Sequence, residues 1–294
     1  MAIKREDYTP SAYLVSHFDM TFRLDIGVSD GGKRECEIET VMSMRLNPQA
    51  SPSAGANPSL VLNAEALNII EVSIDGAAVA AGSGYIYDAD AEILTIEGSR
   101  LGDKFSLKTK VLSLPEDNLQ LQGLFCSSGM FCTQMEAEGF RRMVPCLDRT
   151  DVLSTYRVRI EGSRSSAPVL LGNGNRVEAG DVPGSEGARH FAVFEDPHPK
   201  PTYLFAVVAG KLWSLKDTFT FASGREVAIE VFVDGGPERV ASLGHAMESV
   251  KVGPPPLPQA PRDARGEERA QRSRAQGPPA GLTIPPHPVT HPTL

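Results

Sequence analysis

The side chains best suited to chemistry are concentrated in one segment, Gly123–Val152, which reads GLFCSSGMFCTQMEAEGFRRMVPCLDRTDV. It combines cysteine, methionine and aromatic residues with a group of charged residues: Glu136, Glu138, Arg141, Arg142 and Asp148. Because the segment lacks regular alternation of apolar and polar residues, it is predicted to be a structured loop between strands. Taken alone, Glu136 is a solvated loop carboxylate, the usual state of an acidic side chain, and a binding role is the alternative.

Histidine and cysteine spacings indicate no metal site. His287 and His291 have the i, i+4 spacing of a zinc pair, but the prolines beside them prevent the helix that would align the two rings. No histidine is followed by Glu, so a His-Glu-x-x-His helix is absent from the sequence. The cysteines match no zinc-binding spacing and are expected to be reduced thiols: Cys36, Cys126, Cys132 and Cys146.

Nucleophilic and phosphate-binding motifs are also absent. The sequence contains no Gly-x-Ser-x-Gly elbow. Gly172–Asn175 has no helical pattern after it that could form an anion cradle, so it predicts a hairpin turn. We therefore expect no catalytic residue and no complete catalytic centre in this chain.

The elements that must position these side chains are strands. Leu14–Leu24 and Cys36–Leu46 alternate with period two, which is typical of half-buried strands. Further strand patterns follow at 60–62, 70–74, 93–96, 105–112, 152–160, 169–171, 190–194, 203–209 and 227–233. The pattern predicts an all-β fold.

One helix is predicted near the end of the ordered sequence. Apolar residues recur at helical spacing at Val240, Leu243, Met247 and Val250, and Pro237 is suited to a helix start. This face is expected to meet a neighbouring domain, and without one it would be an exposed apolar stripe that promotes self-association.

Composition divides the chain into three parts: 1–236 is the β-domain, 237–252 is the helix and 253–294 is a tail. The tail contains 11 of the 23 prolines and no Phe, Trp or Tyr, so it is predicted to be disordered. It has five Arg and three acidic residues, and since the whole chain carries −8, residues 1–252 carry −10. An acidic body disfavours nucleic-acid binding, and no apolar run is long enough to cross a membrane.

The segment Gly129–Asp151 resembles the N-terminal domain of aminopeptidase N, the bacterial-type zinc alanyl aminopeptidases with a thermolysin-like catalytic domain. Thr133–Arg142 (TQMEAEGFRR) is its most specific part. The likeness extends over about residues 5–252 and includes four more runs: Leu170–Asn175, Phe194–Pro201, Tyr203–Gly210 and His245–Ser249. Thr150 departs from the family, which usually has Pro there, and this should reduce local rigidity.

The resemblance implies a saddle-like antiparallel β-sandwich that lies against the catalytic domain. In the family, the Gln-x-Glu of this loop reaches the active-site cleft. Carried over, Glu136 would accept the α-ammonium of a peptide N-terminus, and Gln134 would shape the first side-chain pocket. Zinc is the family's cofactor, but none is expected on this chain.

Two functional hypotheses follow. The first is a substrate-amine recognition domain whose family-like sequence breaks off after Val252, before the zinc ligands, which makes the chain inactive alone. Reading the DNA beyond the Val252 codon tests this, since some frame there should encode His-Glu-x-x-His. The alternative is a non-catalytic interaction module with a proline-rich binding tail. A charged N-terminus without an apolar run predicts a cytoplasmic location.

Overall fold

The computed structural model describes residues 8–50 and 57–251. The predicted disordered tail, 253–294, lies outside the described residues. Within the described part of the chain, no helix is both long and apolar enough to cross a membrane.

The strands follow one another along most of the chain. Their bounds are β1 Tyr13–Val28, β2 Arg34–Leu46, β3 Leu60–Asn63, β4 Asn68–Ile74, β5 Ala77–Ala78, β6 Ile86–Asp88, β7 Ile93–Ile96, β8 Lys104–Ser113, β9 Gly123–Ser127, β10 Met130–Gln134, β11 Ser154–Ser163, β12 Val169–Gly172, β13 Asn175–Asp181, β14 Arg189–Lys200, β15 Val207–Gly210, β16 Trp213–Thr220 and β17 Glu226–Val233. One helix, α1, spans Val240–Lys251, and single 3₁₀ turns lie at Gly98–Arg100, Phe140–Arg142, Thr202–Leu204 and Pro237–Arg239. The predicted all-β fold with one C-terminal helix is confirmed.

The largest sheet has eight strands in the order β13-β14-β11-β1-β2-β8-β4-β5. In β1 and β2 the predicted alternation is present, with Met20, Phe22 and Ile38 buried and the residues between them partly exposed. The register of β1 against β2 shifts twice, between Val15 and His17 and between Arg23 and Gly27. One face of the sheet therefore supplies the core, and the other carries charged side chains.

One pairing in this sheet differs from the antiparallel prediction. β1 pairs with β11 in parallel, with His17 opposite Thr155 and Arg23 opposite Glu161. A side-chain hydrogen bond adds to this strand pairing, since the Ser154 hydroxyl donates to the carbonyl of Val15 at 2.7 Å. The other strand pairs of this sheet are antiparallel.

A second sheet, β12-β15-β10-β9, corrects the hairpin predicted at Gly172–Asn175. The turn exists, but β12 pairs with β15 whereas β13 pairs with β14. Gly174 has φ +81°, and a Cβ there would lie 2.2 Å from the carbonyl oxygen of Glu195. The chain passes directly from one sheet to the other at this point. Glycine is required because of the positive φ and because a Cβ would clash with that carbonyl oxygen.

The strand predicted at 203–209 is also corrected. Thr202–Leu204 forms a 3₁₀ turn, and only Val207–Gly210 joins the sheet. The run of apolar residues at 203–209 predicts one continuous strand. Instead the chain turns at its start, and Phe205 is buried in the core at 3% exposure.

The described residues divide into two compact units, the first comprising those up to Leu215 with Phe232–Leu243 and the second comprising Lys216–Val231 with 244–251. The first contains the sheets above and the three-stranded sheet β3-β7-β6. The second contains most of the β16-β17 ribbon and an ion pair of Asp217 with Lys251. On α1, Leu243 and Met247 are each 2% exposed, so the expectation of a fully exposed apolar stripe is wrong for them.

Candidate functional site

The segment 123–152 begins with a hairpin, which the prediction of a loop had missed. β9 and β10 pair in antiparallel from Gly123 opposite Gln134 to Ser127 opposite Met130. The turn has positive φ at Ser128 (51°) and Gly129 (82°), as a tight hairpin connection requires. Each strand is only five residues long with a mixed burial pattern, so the sequence shows no period-two signal.

Gln134 and Glu136 lie where β10 ends, and both side chains are exposed. The Gln134 side-chain amide donates to the carbonyl of Glu136 at 3.2 Å, so the two residues lie side by side. The peptide bond between Glu136 and Ala137 is cis. Among the residues that the structure describes, no basic side chain forms an ion pair with the Glu136 carboxylate. It is therefore available to a cation from outside.

Buried residues fix both ends of this exposed loop. Met135 precedes Glu136 at 2% exposure, and Phe140 closes the loop at 0%. The Phe140 ring lies 5.5 Å from Phe18 and 5.2 Å from Phe205, both in edge-on geometry. The Gly139 amide donates to the Met135 carbonyl at 2.8 Å, which closes the loop on itself.

Gly139 allows this closure because of space and not because of an unusual φ. A Cβ on Gly139 would lie 2.2 Å from the carbonyl oxygen of Gln134 and 2.9 Å from the amide nitrogen of Gly123. Any other residue would push the loop away from the hairpin, so glycine is needed at this close backbone approach.

A buried polar network lies beneath the loop. Asp148, whose side chain is 2% exposed, accepts from Arg141 Nε at 3.1 Å and from Thr202 Oγ1 at 2.5 Å. Arg142 pairs with Glu65, and the backbones of Asn63 and Cys146 bond reciprocally. These contacts attach residues 141–148 to the strand β3 region and to the Thr202 turn.

An open depression of about 380 Å³ borders the loop. It is lined by Tyr8, Ala137, Glu138, Asp148, Arg149, Thr150, Asp151, Thr202 and Tyr203. On its wall, Asp151 accepts from Arg149 at 2.7 Å and from the Tyr8 hydroxyl at 2.8 Å. The hydrogen bonds from Arg149 lower the pKa of Asp151 to about 2, so it is a fixed anion.

The cysteines offer no activated nucleophile. All four are free thiols, and Cys36 and Cys146 are buried. Burial raises the pKa of Cys36 to about 12 and that of Cys126 to about 11, although Arg34 donates to the Cys126 sulfur at 3.4 Å. Such thiols stay protonated at neutral pH, and the thiolate is the reactive form.

Within residues 8–50 and 57–251, no three His, Cys, Asp or Glu side chains come together to hold a metal ion. The resemblance assigns the zinc of the family to its catalytic domain and not to the domain described here.

The sequence does not reveal which residues hold the loop in place. In the sequence, Asp148 and Arg141 stand out only as charged members of the segment, and Thr202 belongs to no chemical motif. Thr202 is 54 residues from Asp148. No spacing along the chain connects the two residues. The one usable signal is an acidic residue placed next to an apolar run.

Curated relatives match most of this chain in sequence. Aminopeptidase N of Caulobacter vibrioides is 42% identical over 250 residues, which is 85% of this chain and 26% of that protein. Aminopeptidase N of Escherichia coli is 37% identical over 249 residues, again 26% of its length. The chain thus spans about a quarter of the length of the curated relatives it matches.

Solved structures agree with these matches. The structure of Legionella pneumophila aminopeptidase A in complex with aspartic acid superposes with a TM-score of 0.73 at 27% identity, covering 85% of this chain and 27% of that one. An M1 zinc metallopeptidase from Deinococcus radiodurans with a Tyr-Ser-Ala substrate has a TM-score of 0.58 at 16% identity, covering 86% of this chain and 52% of that one; this supports the fold alone.

A family model covers most of the β-structure described above. Residues 15–204 match the model described as the Peptidase M1 N-terminal domain, and this range includes the loop with Gln134 and Glu136. The chain belongs to the Peptidase M1 N-terminal domain family.

Proposed function

We propose that this domain supplies the amine-recognition carboxylate of a zinc-dependent aminopeptidase that removes N-terminal residues from peptides. Glu136 accepts the α-ammonium of the substrate, and Gln134 shapes the pocket for its first side chain. The observation that carries the proposal is the exposed Glu136 carboxylate on a loop whose two ends are buried at Met135 and Phe140. A fixed carboxylate selects a free N-terminus and so favours an exopeptidase.

The partner that completes the site is a thermolysin-like catalytic domain. An exposed carboxylate–ammonium pair is worth about 0–1 kcal/mol, whereas even 1 mM affinity needs about 4.1 kcal/mol. A second domain that covers Glu136 removes water and strengthens the pair. The 294 residues contain no His-Glu-x-x-His, so zinc and the hydrolytic step belong to that partner in this proposal.

We place the protein in the cytoplasm because its four cysteines are free thiols, as expected of a reducing compartment. Residues 1–252 carry −10, which disfavours nucleic acids, so peptides are the proposed ligands.

The test is a chimera in which residues 1–251 replace the matching part of Caulobacter vibrioides aminopeptidase N. We expect it to hydrolyse an alanyl anilide, and Glu136→Gln should lower kcat/KM by at least about 30-fold. The estimate follows because losing one partner of a covered ion pair costs about 2 to 5 kcal/mol and each 1.4 kcal/mol is a factor of ten.

Glu178→Gln is the control, since Glu178 is an exposed acid on β13 and lies outside the segment 123–152. Its kcat/KM should change less than threefold. Equal losses in the two variants, or none in Glu136→Gln, would contradict the proposal and favour a non-catalytic interaction module. Gln134→Ala should change the ratio of rates for alanyl and leucyl anilides.

A further inference from the structure

Asp148 is an unusually enclosed carboxylate for a residue so near an exposed loop. Its side chain is 2% exposed, and both of its oxygens accept hydrogen bonds. Oδ1 accepts from Thr202 Oγ1 at 2.5 Å, and Oδ2 accepts from Arg141 Nε at 3.1 Å and from the Arg141 amide at 3.3 Å. Burying a carboxylate is costly unless it is paired and hydrogen-bonded, and here three donors meet that requirement.

The network continues from Asp148 toward the substrate-facing side of the loop. Arg141, which donates to Asp148, also pairs through Nη2 with Glu138 Oε1 at 3.1 Å. Glu138 is two residues after Glu136 in the exposed part of the loop. A continuous set of polar contacts therefore leads from Thr202 through Asp148 and Arg141 to the residues beside Glu136.

The same short segment anchors the loop a second time. Thr202 begins the 3₁₀ turn that ends just before Phe205, and the Phe205 ring packs 5.2 Å from Phe140. The polar network and the aromatic contact thus attach the loop to one segment through two independent types of interaction. Together they restrict where the loop lies relative to the Thr202 turn.

We propose that Asp148 is a positioning residue that sets where the Glu136 carboxylate lies. Asp148 does not touch Glu136 or a substrate; it acts through Arg141 and Thr202. The inference rests on the proposed function, because the position of the Glu136 carboxylate matters only if it binds the substrate amine. A carboxylate held out of place weakens its ion pair with the substrate ammonium, so a flexible loop would not suffice.

The first experiment measures amide hydrogen exchange in the full 294-residue chain. The reporters are the amides of Gly139, Met143 and Val144, which close the loop and the 3₁₀ turn. Asp148→Asn should speed their exchange about tenfold, the change expected for a lost hydrogen bond to a charged group. Amides of β1 and β2 are the internal reference for global stability.

Thr202→Val keeps the carboxylate and removes only one donor, so it tests the idea even if Asp148→Asn fails to fold. It should loosen the same amides, whereas Thr202→Ser should restore protection. Asp196→Asn is the control, because Asp196 is a partly buried acid, 14% exposed, that pairs with Lys200. It should leave the loop amides unchanged.

The second experiment places Thr202→Val and Thr202→Ser in the chimera. A displaced Glu136 should raise KM for the alanyl anilide about tenfold with kcat nearly unchanged, and Ser should rescue KM. A general loss of folded protein would instead lower kcat and leave KM as it was.

Three outcomes overturn the inference: loop amides unchanged in Thr202→Val, loop and β1–β2 amides accelerated equally, or a fall in kcat without a change in KM. Failure of the proposed function is separately visible. In that case Glu136→Gln has no effect in the chimera, while the exchange result for the loop still stands.

Discussion

Two groups of charged residues in this domain are built in opposite ways. The outer face of the large sheet carries an ion-pair ladder across four strands, formed by Arg23, Glu37, Glu39, Glu71, Lys108 and Lys110. Its side chains are 19–37% exposed, and each has at least two partners of opposite charge. The network at Asp148 has one enclosed carboxylate, 2% exposed, which accepts from both Thr202 Oγ1 and Arg141 Nε.

The contrast shows why counting ion pairs does not measure their importance. In the ladder, removing one charge leaves every former partner with another neighbour and with access to water, so little is lost. At Asp148, removing the carboxylate leaves Thr202 Oγ1 and Arg141 Nε without their acceptor, and Arg141 keeps only its contact with the exposed Glu138. The domain thus uses redundancy where water is present and a single well-bonded group where it is excluded.

The largest effect is expected from Asp148→Ala. It should destabilise the domain by about 3 to 5 kcal/mol, the typical cost of breaking a buried ion pair by removing one partner. Urea unfolding followed by circular dichroism gives the free energy of unfolding. Glu138→Ala, which removes the exposed partner of the same Arg141, should cost less than about 1 kcal/mol. Similar losses in both variants would remove the distinction between the two kinds of site.

A stabilising change is expected on the buried side of the same strands that carry the ladder. Thr40 and Thr109 face each other across β2 and β8 at 0% and 1% exposure, and neither hydroxyl has a hydrogen-bond partner among the described residues. Replacing both with valine removes two unsatisfied polar atoms and should stabilise the domain by about 1 to 2 kcal/mol. A loss of stability would show that the hydroxyls are satisfied in solution, for example by a buried water.

The smallest effect is expected from Glu71→Gln in the ladder, below about 1 kcal/mol at neutral pH. Hydrogen bonding from Lys108 lowers the pKa of Glu71 below its ordinary 4.5. The stabilisation from Glu71 is therefore complete above pH 4.5 and is lost as the pH falls through the lowered value.

Urea unfolding at pH 7 and at pH 3, each in low and high salt, measures this change. The difference between wild type and Glu71→Gln should shrink at pH 3 and in high salt, where the pair is neutralised or screened. A difference that grows toward low pH would contradict the sign.

Much of the strand framework could be predicted because it depends on local alternation. Met20, Phe22 and Ile38 are buried as their spacing indicated. The partners of strands could not be predicted in the same way: β1 joins β11 through residues 138 apart. Gly174 produced a correct turn but a wrong hairpin, because the turn signal does not state which sheet the next strand enters.

The candidate site was predictable in part. The loop with Gln134 and Glu136 was identified by its resemblance to a family, and the assigned roles of these two residues remain predictions. Physical reasoning alone described Glu136 as a solvated acid, and its side chain is exposed. What positions it was hidden, since the contact of Asp148 with Thr202 depends on how the sheets pack and not on spacing along the chain.

The parallel pairing of β1 with β11 has a consequence for how the protein is made. β1 is a central strand, so its edge toward β11 has no partner until residues 154–163 have left the ribosome. Until then a nascent chain offers that edge, next to Phe18, Met20 and Phe22, to any other strand it meets. Early synthesis is therefore the period in which this domain is most exposed to mispairing of its strands.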